Sequence, residues 1–204
     1  PSRIRHRFIG LRSHDHDHGH RMTGPGCRPG SAWVRVDAVI RIQTLTADDW
    51  ELWRGLRLQA LSEASYAFGA RYEDWVDAPE QAWRERLGRP GWLHVVGRLD
   101  GEPAGIASGV PDETDPTVAE LRSFWVAPAG RGRGVSDRLE GAVEEWAAGS
   151  GATTLRLAVR PYNAAAIAAY RRFGFTETDR LGRPLPDGRH ELIFEKPLAG
   201  VGIG

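Results

Sequence analysis

The stretch Val126-Ala-Pro-Ala-Gly-Arg-Gly-Arg-Gly-Val-Ser136 joins an apolar run, Ala119 to Val126, to an amphipathic one, Gly134 to Ala148. The first reads as a strand and the second as a helix, so the glycine-rich segment is a strand-to-helix turn. Glycines at 130, 132 and 134 let the chain turn sharply and leave no Cβ to hold a ligand away from the backbone. The first turn of the helix presents N–H groups with no intrahelical partner, and its dipole adds roughly half a positive charge. Arg131 and Arg133 supplement that charge. The segment therefore has the form of an anion site. Its G-x-G-x-G spacing differs from the G-x-G-x-x-G of dinucleotide-binding turns, and no Gly-Lys-Ser/Thr follows for a nucleoside triphosphate.

Upstream of this turn, Val39-Ile40-Arg41-Ile42 suits an opening strand, and Thr46-Ala-Asp-Asp49 suits the capped start of a helix running to about Ser62. Trp50, Trp53, Leu56, Leu58 and Leu61 supply its apolar stripe. A second helical stretch is expected over 70–88, broken near Asp77-Ala-Pro79, where Asp77 caps the second part. Asp100-Gly101 favours a tight hairpin between strands Trp92 to Arg98 and Pro103 to Val110. Downstream come a strand over Thr154 to Val159, a helix over Asn163 to Phe173, and strands near 175–180 and 190–196. The order is βααββ followed by βαβαββ, which predicts a mixed α+β domain with parallel pairing in its second half.

The segment Asn163-Ala-Ala-Ala-Ile-Ala-Ala-Tyr170 places an amide and a phenol seven residues apart, within about 20° of one helix face, with Ala166 between them. Such a face is smooth, with polar groups spaced about 10 Å apart, and a long thin amide chain can lie along it. A half-buried tyrosine among alanines is the plainer reading of the same residues.

Taken together, these segments resemble the GNAT superfamily of acyl-CoA-dependent N-acyltransferases. Arg131, Gly134 and, imperfectly, Ser136 match its Arg/Gln-x-x-Gly-x-Gly/Ala signature. Val126-Ala-Pro128 precedes it, and Asn163, Tyr170 and Gly174-Phe175 match the later pattern. The resemblance covers about residues 40–196. It implies a three-layer fold with a central, mostly antiparallel sheet. One parallel strand pair opens into a V-shaped cleft, and helices cover both faces. It implies acetyl transfer from acetyl-CoA to a primary amine in a ternary complex, with no metal. Backbone groups of Trp125 and Val126 would align the thioester, and the amides of Arg131, Gly132, Arg133, Gly134, Val135 and Ser136 would hold the pyrophosphate. Asn163 and Ala166 would line the path of the coenzyme. Tyr170 matches the family's proton donor to the departing thiolate. Glu120, eleven residues before Arg131, stands where some relatives place their base. As a strand residue it can equally face solvent or pair with Arg122 or Arg156. Ser136 departs from the pattern, because its hydroxyl can compete for local hydrogen bonds. A non-catalytic acyl-CoA-binding module on the same scaffold is the alternative function.

Composition narrows the remaining classes. Lys plus Arg and Asp plus Glu balance at 27 each in 204 residues, without the basic excess expected of a nucleic-acid binder. The single cysteine, Cys27, makes no internal disulfide, and no apolar run approaches the roughly 20 residues that span a bilayer. With no secretory signal pattern, the expected location is cytoplasmic. Residues 1–38 carry seven Arg, three Asp and five of the seven His. They read as a flexible extension, 39–198 as one domain, and 199–204 as a glycine-rich tail. The His14-Asp15-His16-Asp17-His18-Gly19-His20 tract suggests a metal-binding tail as a third, weaker function. Trp50, Trp53, Trp75, Trp83 and Trp92 are candidates for an acceptor pocket or for core. Glu73 and Asp74 offer carboxylates to a cationic amine or form a solvated helix face. A homodimer is compatible with the family, but no interface is legible.

Overall fold

The computed structural model describes residues 38–199. The histidine tract and nearly all of the two predicted terminal segments lie outside the described residues.

Seven strands form one sheet in the order β1-β2-β3-β4-β5-β7-β6. They are β1 (Ile40–Thr44), β2 (Leu93–Leu99), β3 (Glu102–Pro111), β4 (Val118–Val126), β5 (Thr154–Val159), β6 (Thr176–Pro184) and β7 (His190–Pro197). The pairing of β4 with β5 is parallel and every other pairing is antiparallel. Helices α1 (Trp50–Glu63) and α2 (Glu80–Leu87) precede β2, α3 (Val135–Gly149) joins β4 to β5, and α4 (Ala164–Arg172) joins β5 to β6. The observed order is the βααββ, βαβαββ series expected from the sequence. No helix among the described residues is long and apolar enough to cross a membrane.

Alternation along the strands sends apolar side chains to both faces of the sheet, so two cores form. On one face, Leu45, Trp53, Leu56, Ala60, Trp83, Leu87, Val96, Ile106 and Trp125 pack under α1 and α2. On the other, Val135, Leu139, Val143 and Ala147 of α3 pack with Leu121, Leu155, Leu157, Tyr170 and Phe194. Trp53 and Trp83 are therefore core, as helical spacing suggested. Lys196, the chain's only lysine, ties β7 to α3 by bonding Glu140 at 2.9 Å and Glu144 at 2.7 Å.

Local chemistry explains the element ends. Thr46 accepts from Asp48 N while the Asp49 carboxylate accepts from Thr46 N at 2.8 Å, the reciprocal cap read from the sequence. The capped turn is 3-10 over Ala47–Asp49 before α1 begins. Asp100 and Gly101 both adopt positive φ, as a two-residue hairpin turn with the sheet's twist requires. The second helix is shorter than predicted. Only Glu80–Leu87 is helical, Pro79 rather than Asp77 precedes it in an extended conformation, and Asp77 makes no capping bond. Proline keeps the preceding residue out of the helical region, so 70–79 forms turns held by bonds such as Val76 N to Tyr72 O.

At the other end of α2 lies a buried histidine. His94 Nε2 is 3.2 Å from the carbonyl oxygen of Arg86, which can only accept, so that nitrogen carries the ring proton. Nδ1 then accepts from the Ser108 hydroxyl at 2.9 Å. Burial, reinforced by the positive charge of Arg86, holds the His94 pKa down from 6.5 to about 4. The unfolded chain thus binds this proton more tightly than the folded one. Stability contributed by the neutral ring is full above pH 6.5 and is lost as pH falls toward 4, amounting to about 2 kcal/mol by pH 5. Denaturant titrations of wild type and His94→Gln at pH 7 and pH 5 are expected to show that the variant lacks this decline. Equal pH dependence of the two proteins would contradict a neutral buried ring.

Candidate active site

Two features of β4 create the site. The strand pairs with β5 only through Val118–Thr154, Ala119–Leu155 and Glu120–Arg156. Beyond them the strands separate, whereas β5 keeps its pairing with β7 along its whole length. The second feature is a bulge. Ile106 faces Trp125 and Ser108 faces Arg122, so Ser123 and Phe124 together oppose Ala107, with Ser123 at φ 53°. The bulge reverses which face the following side chains take. Ala119 and Leu121 belong to the α3 core, yet Trp125 and Ala127 belong to the α1/α2 core, while Phe124 and Val126 pack toward α3 and α4.

Below the opening, Pro128–Gly130 makes a single 3-10 turn and α3 begins after Gly134. A Cβ on Gly130 would sit 3.0 Å from the carbonyl oxygen of Ala104, so any larger residue there crowds the backbone of β3. Gly132 and Gly134 have φ of 70° and 84°, the left-handed region that glycine enters at no steric cost. The N–H groups of Gly132, Gly134, Val135, Ser136 and Asp137 donate to no described residue. Val135 contributes only its backbone, since its side chain is fully buried in the core. The Ser136 hydroxyl points to the Asp137 carboxylate at 3.1 Å and leaves the amides free. Of the amides expected to form the cradle, those of Arg131 and Arg133 donate instead to the carbonyls of Pro128 and Gly130, both at 3.3 Å, while those of Gly132, Gly134, Val135 and Ser136 stay free at the helix N-terminus.

The arginine side chains correct one expectation. Arg131 is paired with Glu63 and donates from Nε to the Val126 carbonyl at 3.1 Å, and Arg133 pairs with Asp100 at 3.1 Å. Both arginines are thus engaged in exposed ion pairs with carboxylates of the chain. Val126 has one backbone acceptor already engaged.

On the α4 side, the inward face carries Asn163, Ala166 and Tyr170 as the spacing predicted. The Asn163 carbonyl oxygen caps α4 by accepting from Ala166 N at 3.2 Å. Tyr170 is 8% exposed, and its ring lies 6.0 Å from both Phe124 and Phe175. Burial pushes its phenol pKa up, so the hydroxyl keeps its proton throughout the neutral range. Tyr170 therefore stands across from the bulge with a hydroxyl that no described residue engages.

Glu120 occupies the last paired position of β4, at the apex of the opening, and its carboxylate pairs with Arg122. Arg156, the other candidate partner, binds Glu195 and Asp112 instead. The α1/α2 face adds residues that no sequence motif marked. Arg86 Nη2 lies 3.4 Å from Ser123 Oγ at the bulge itself, and its guanidinium sits over the Trp75 ring. Arg57 projects from α1 among core residues and stacks over Phe68. Arg160, just past β5, donates to the Phe68 carbonyl at 2.7 Å and holds that loop to the far side of the opening. One signal for Arg57 was present: it falls inside the apolar stripe, four residues after Trp53 and four before Leu61. Glu73 and Asp74 are exposed, and Asp74 pairs with Arg71, so neither carboxylate enters the site. A groove of about 580 Å³ between β1, β2 and α3, lined by Ile42, Leu93, Arg138 and Trp146, touches the site only at Asp137.

The model of the Acetyltransferase (GNAT) family matches residues 52–175, and the chain belongs to that family. A relative named IAA acetyltransferase, from Azospirillum brasilense, is 31% identical over 114 residues, covering 56% of this chain and 73% of that protein. An acetyltransferase of the GNAT family from Streptococcus pneumoniae superposes with a TM-score of 0.65 at 19% identity, over 79% of this chain and 100% of that one. The yncA protein of Salmonella typhimurium, a putative acetyltransferase solved with its cofactor acetyl-CoA, superposes with a TM-score of 0.61 at 19% identity, over 81% and 98%. The three-layer fold with one opened parallel pair is the fold of this family.

Alanine at position 134 must adopt the left-handed conformation, at a cost of about 1 kcal/mol, with its Cβ 3.3 Å from Ile40. Gly134→Ala is expected to turn the cradle amides and weaken acetyl-CoA binding about tenfold by calorimetry, with only a few degrees lost in Tm. Unaltered affinity would count against the cradle.

Proposed function

We propose that the chain transfers the acetyl group of acetyl-CoA to a primary amine by direct attack in a ternary complex. The observation that carries this reading is the separation of β4 from β5 directly above a turn of unpaired amides, with a buried, proton-bearing Tyr170 on the opposite wall. In this reading the amides of Gly132 and Gly134 to Ser136 hold the pyrophosphate. Free backbone groups of β4 near Trp125 and Val126 align the thioester beside its strand edge. Asn163 and Ala166 border the coenzyme's amide chain. The neutral amine attacks the thioester carbonyl carbon, a C–N bond forms and the C–S bond breaks. Before attack the ammonium gives one proton to Glu120, directly or through water; the departing sulfur takes the Tyr170 proton, and the proton that nitrogen loses as the C–N bond forms replaces it on Tyr170.

An alkyl ammonium with pKa near 10.4 is only about one part in a thousand neutral at pH 7, which is why a base at the apex is useful. Glu120→Gln is expected to lower the plateau of kcat/KM and remove the acidic limb of its pH profile. An unchanged profile excludes Glu120 as the base.

Tyr170→Phe removes the proton without altering the packing of the ring. It is expected to lower kcat by roughly tenfold or more while the KM for acetyl-CoA stays nearly constant. Release of free thiol, followed over a panel of amines, measures both variants. Tight acetyl-CoA binding with no thiol release on any amine would return the chain to the non-catalytic alternative.

A further inference from the structure

We propose that the amine accepting the acetyl group also bears a carboxylate, and that Arg57 and Arg86 form the subsite that receives it. The inference rests on the acetyl-transfer reading for the amine, but its central observation is independent of that reading.

Arg57 is 6% exposed, yet its guanidinium makes no hydrogen bond and no ion pair with any described residue. Its Nη1 is fully buried without a partner, and its guanidinium carbon lies 4.4 Å from the centroid of the Phe68 ring. Arg86 is similar. Its Nε is buried without a partner, its single hydrogen bond is the long one to Ser123, and no carboxylate of the described residues lies within 4 Å. The arginines around the donor side contrast with these, since Arg131, Arg133 and Arg172 each pair with a carboxylate.

An unpaired buried charge is costly, and replacing one by an apolar residue of similar volume is often stabilising. The electrostatics give the same picture. Burial, with the charge of Arg86 added, lowers the Arg57 pKa to about 9, and burial with Arg89 and Arg122 lowers that of Arg86 to about 10. Both side chains still carry a full charge at neutral pH, and the charge of Arg86 adds to the cost of burying Arg57. An anion between them would relieve it.

The chemistry of the remaining unpartnered groups identifies the anion. Trp53 Nε1 and Trp125 Nε1 are also buried without an acceptor, and both belong to the same core as Arg57's neighbours Leu56 and Ala60. These four groups and the fifth buried unpartnered atom among the described residues, Arg160 Nε, are all N–H donors. A carboxylate accepts only, and its two oxygens match the fork of a guanidinium. Its surroundings of Phe68, Trp75 and Trp125 are aromatic, which suits a small organic acid better than a strongly hydrated dianion such as phosphate. The position is also right for an acceptor. Arg86 reaches the bulge at Ser123 from the α1/α2 side, whereas Tyr170 and α4 approach from the opposite face. An amine whose carboxylate is held by Arg86 and Arg57 presents its nitrogen toward the opening beside Glu120.

The test compares matched pairs of acceptors, amino acids and the amines that lack only the carboxylate, such as L-phenylalanine and 2-phenylethylamine. In the best pair, kcat/KM is expected to be at least tenfold higher for the carboxylate-bearing member. Arg86→Gln and Arg57→Met are each expected to bring that ratio close to one, chiefly through KM, with Arg86→Lys intermediate. A wild-type ratio near or below one in every pair overturns the subsite and leaves acetyl transfer standing. So does an unchanged ratio in a folded Arg86→Gln protein.

A second measurement needs no catalysis and no variant of Arg57. Calorimetry on the full chain saturated with CoA, using 3-phenylpropionate against 3-phenylpropan-1-ol, is expected to show binding of the acid alone, lost in Arg86→Gln. That result without turnover on any amine sustains the subsite while overturning the transfer reading. Absence of binding by the acid, together with no preference in turnover, overturns the subsite.

Discussion

Parallel pairing of β4 with β5 ends after three residue pairs, and the rest of the structure is organised around that interruption. Strand β5 cannot follow β4 outward, because β7 holds it from Thr154 to Val159. Strand β4 is equally committed on its other edge to β3, through Gly105–Val126 and Ile106–Trp125. Each strand is anchored by a different neighbour, so the gap between them is a consequence of the sheet and not of a loop. Backbone groups along the gap have no strand to pair with, and an unmet backbone group sheltered from water is unfavourable. A ligand carrying amide and thioester oxygens is a natural complement to such an edge.

The bulge at Ser123 then assigns the two sides of the gap different work. Without the extra residue, strict alternation would keep Phe124 on the face of Arg122 and Trp125 on the face of Leu121. With it, Phe124 meets Tyr170 under α4, and Trp125 joins the aromatic core under α1 and α2. Phenol and amide cradle lie on one side, and a cationic, aromatic wall lies on the other. Placing Ser123 at φ 53° is the backbone strain that this division requires.

The architecture and the donor side were legible because they depend on short-range rules. Hairpin chemistry at Asp100-Gly101, capping at Thr46 and Asp49, and glycines at 130, 132 and 134 act over a few residues, and their elements fall within two residues of the predicted ends for most strands and helices. The second helix was overextended because the charged and aromatic run around Trp75 has helical composition, while Pro79 decides the conformation. The ion pairs of Arg131 and Arg133 were not legible for a different reason. Their partners Glu63 and Asp100 are 68 and 33 residues away, and sequence spacing carries no information about such pairs. The α1/α2 side of the opening was illegible on the same ground: Arg57, Arg86, Ser123 and Arg160 come from four widely separated segments of the chain.

Two titratable groups on that side show how differently the fold treats charge. His94 and Arg57 both pack near Trp53, and burial acts on both. The imidazole responds by losing its proton, and the carbonyl of Arg86 and the hydroxyl of Ser108 satisfy the neutral ring. Every polar atom of His94 has a partner, so the fold neutralises that group and gains a connection between β2 and α2. A guanidinium has no such escape, since even with its pKa lowered to about 9 it is charged at neutral pH. The same core that fully satisfies a histidine leaves the Arg57 Nη1 buried with no partner among the described residues. That asymmetry separates a polar residue serving the fold from one whose charge awaits a partner from outside it.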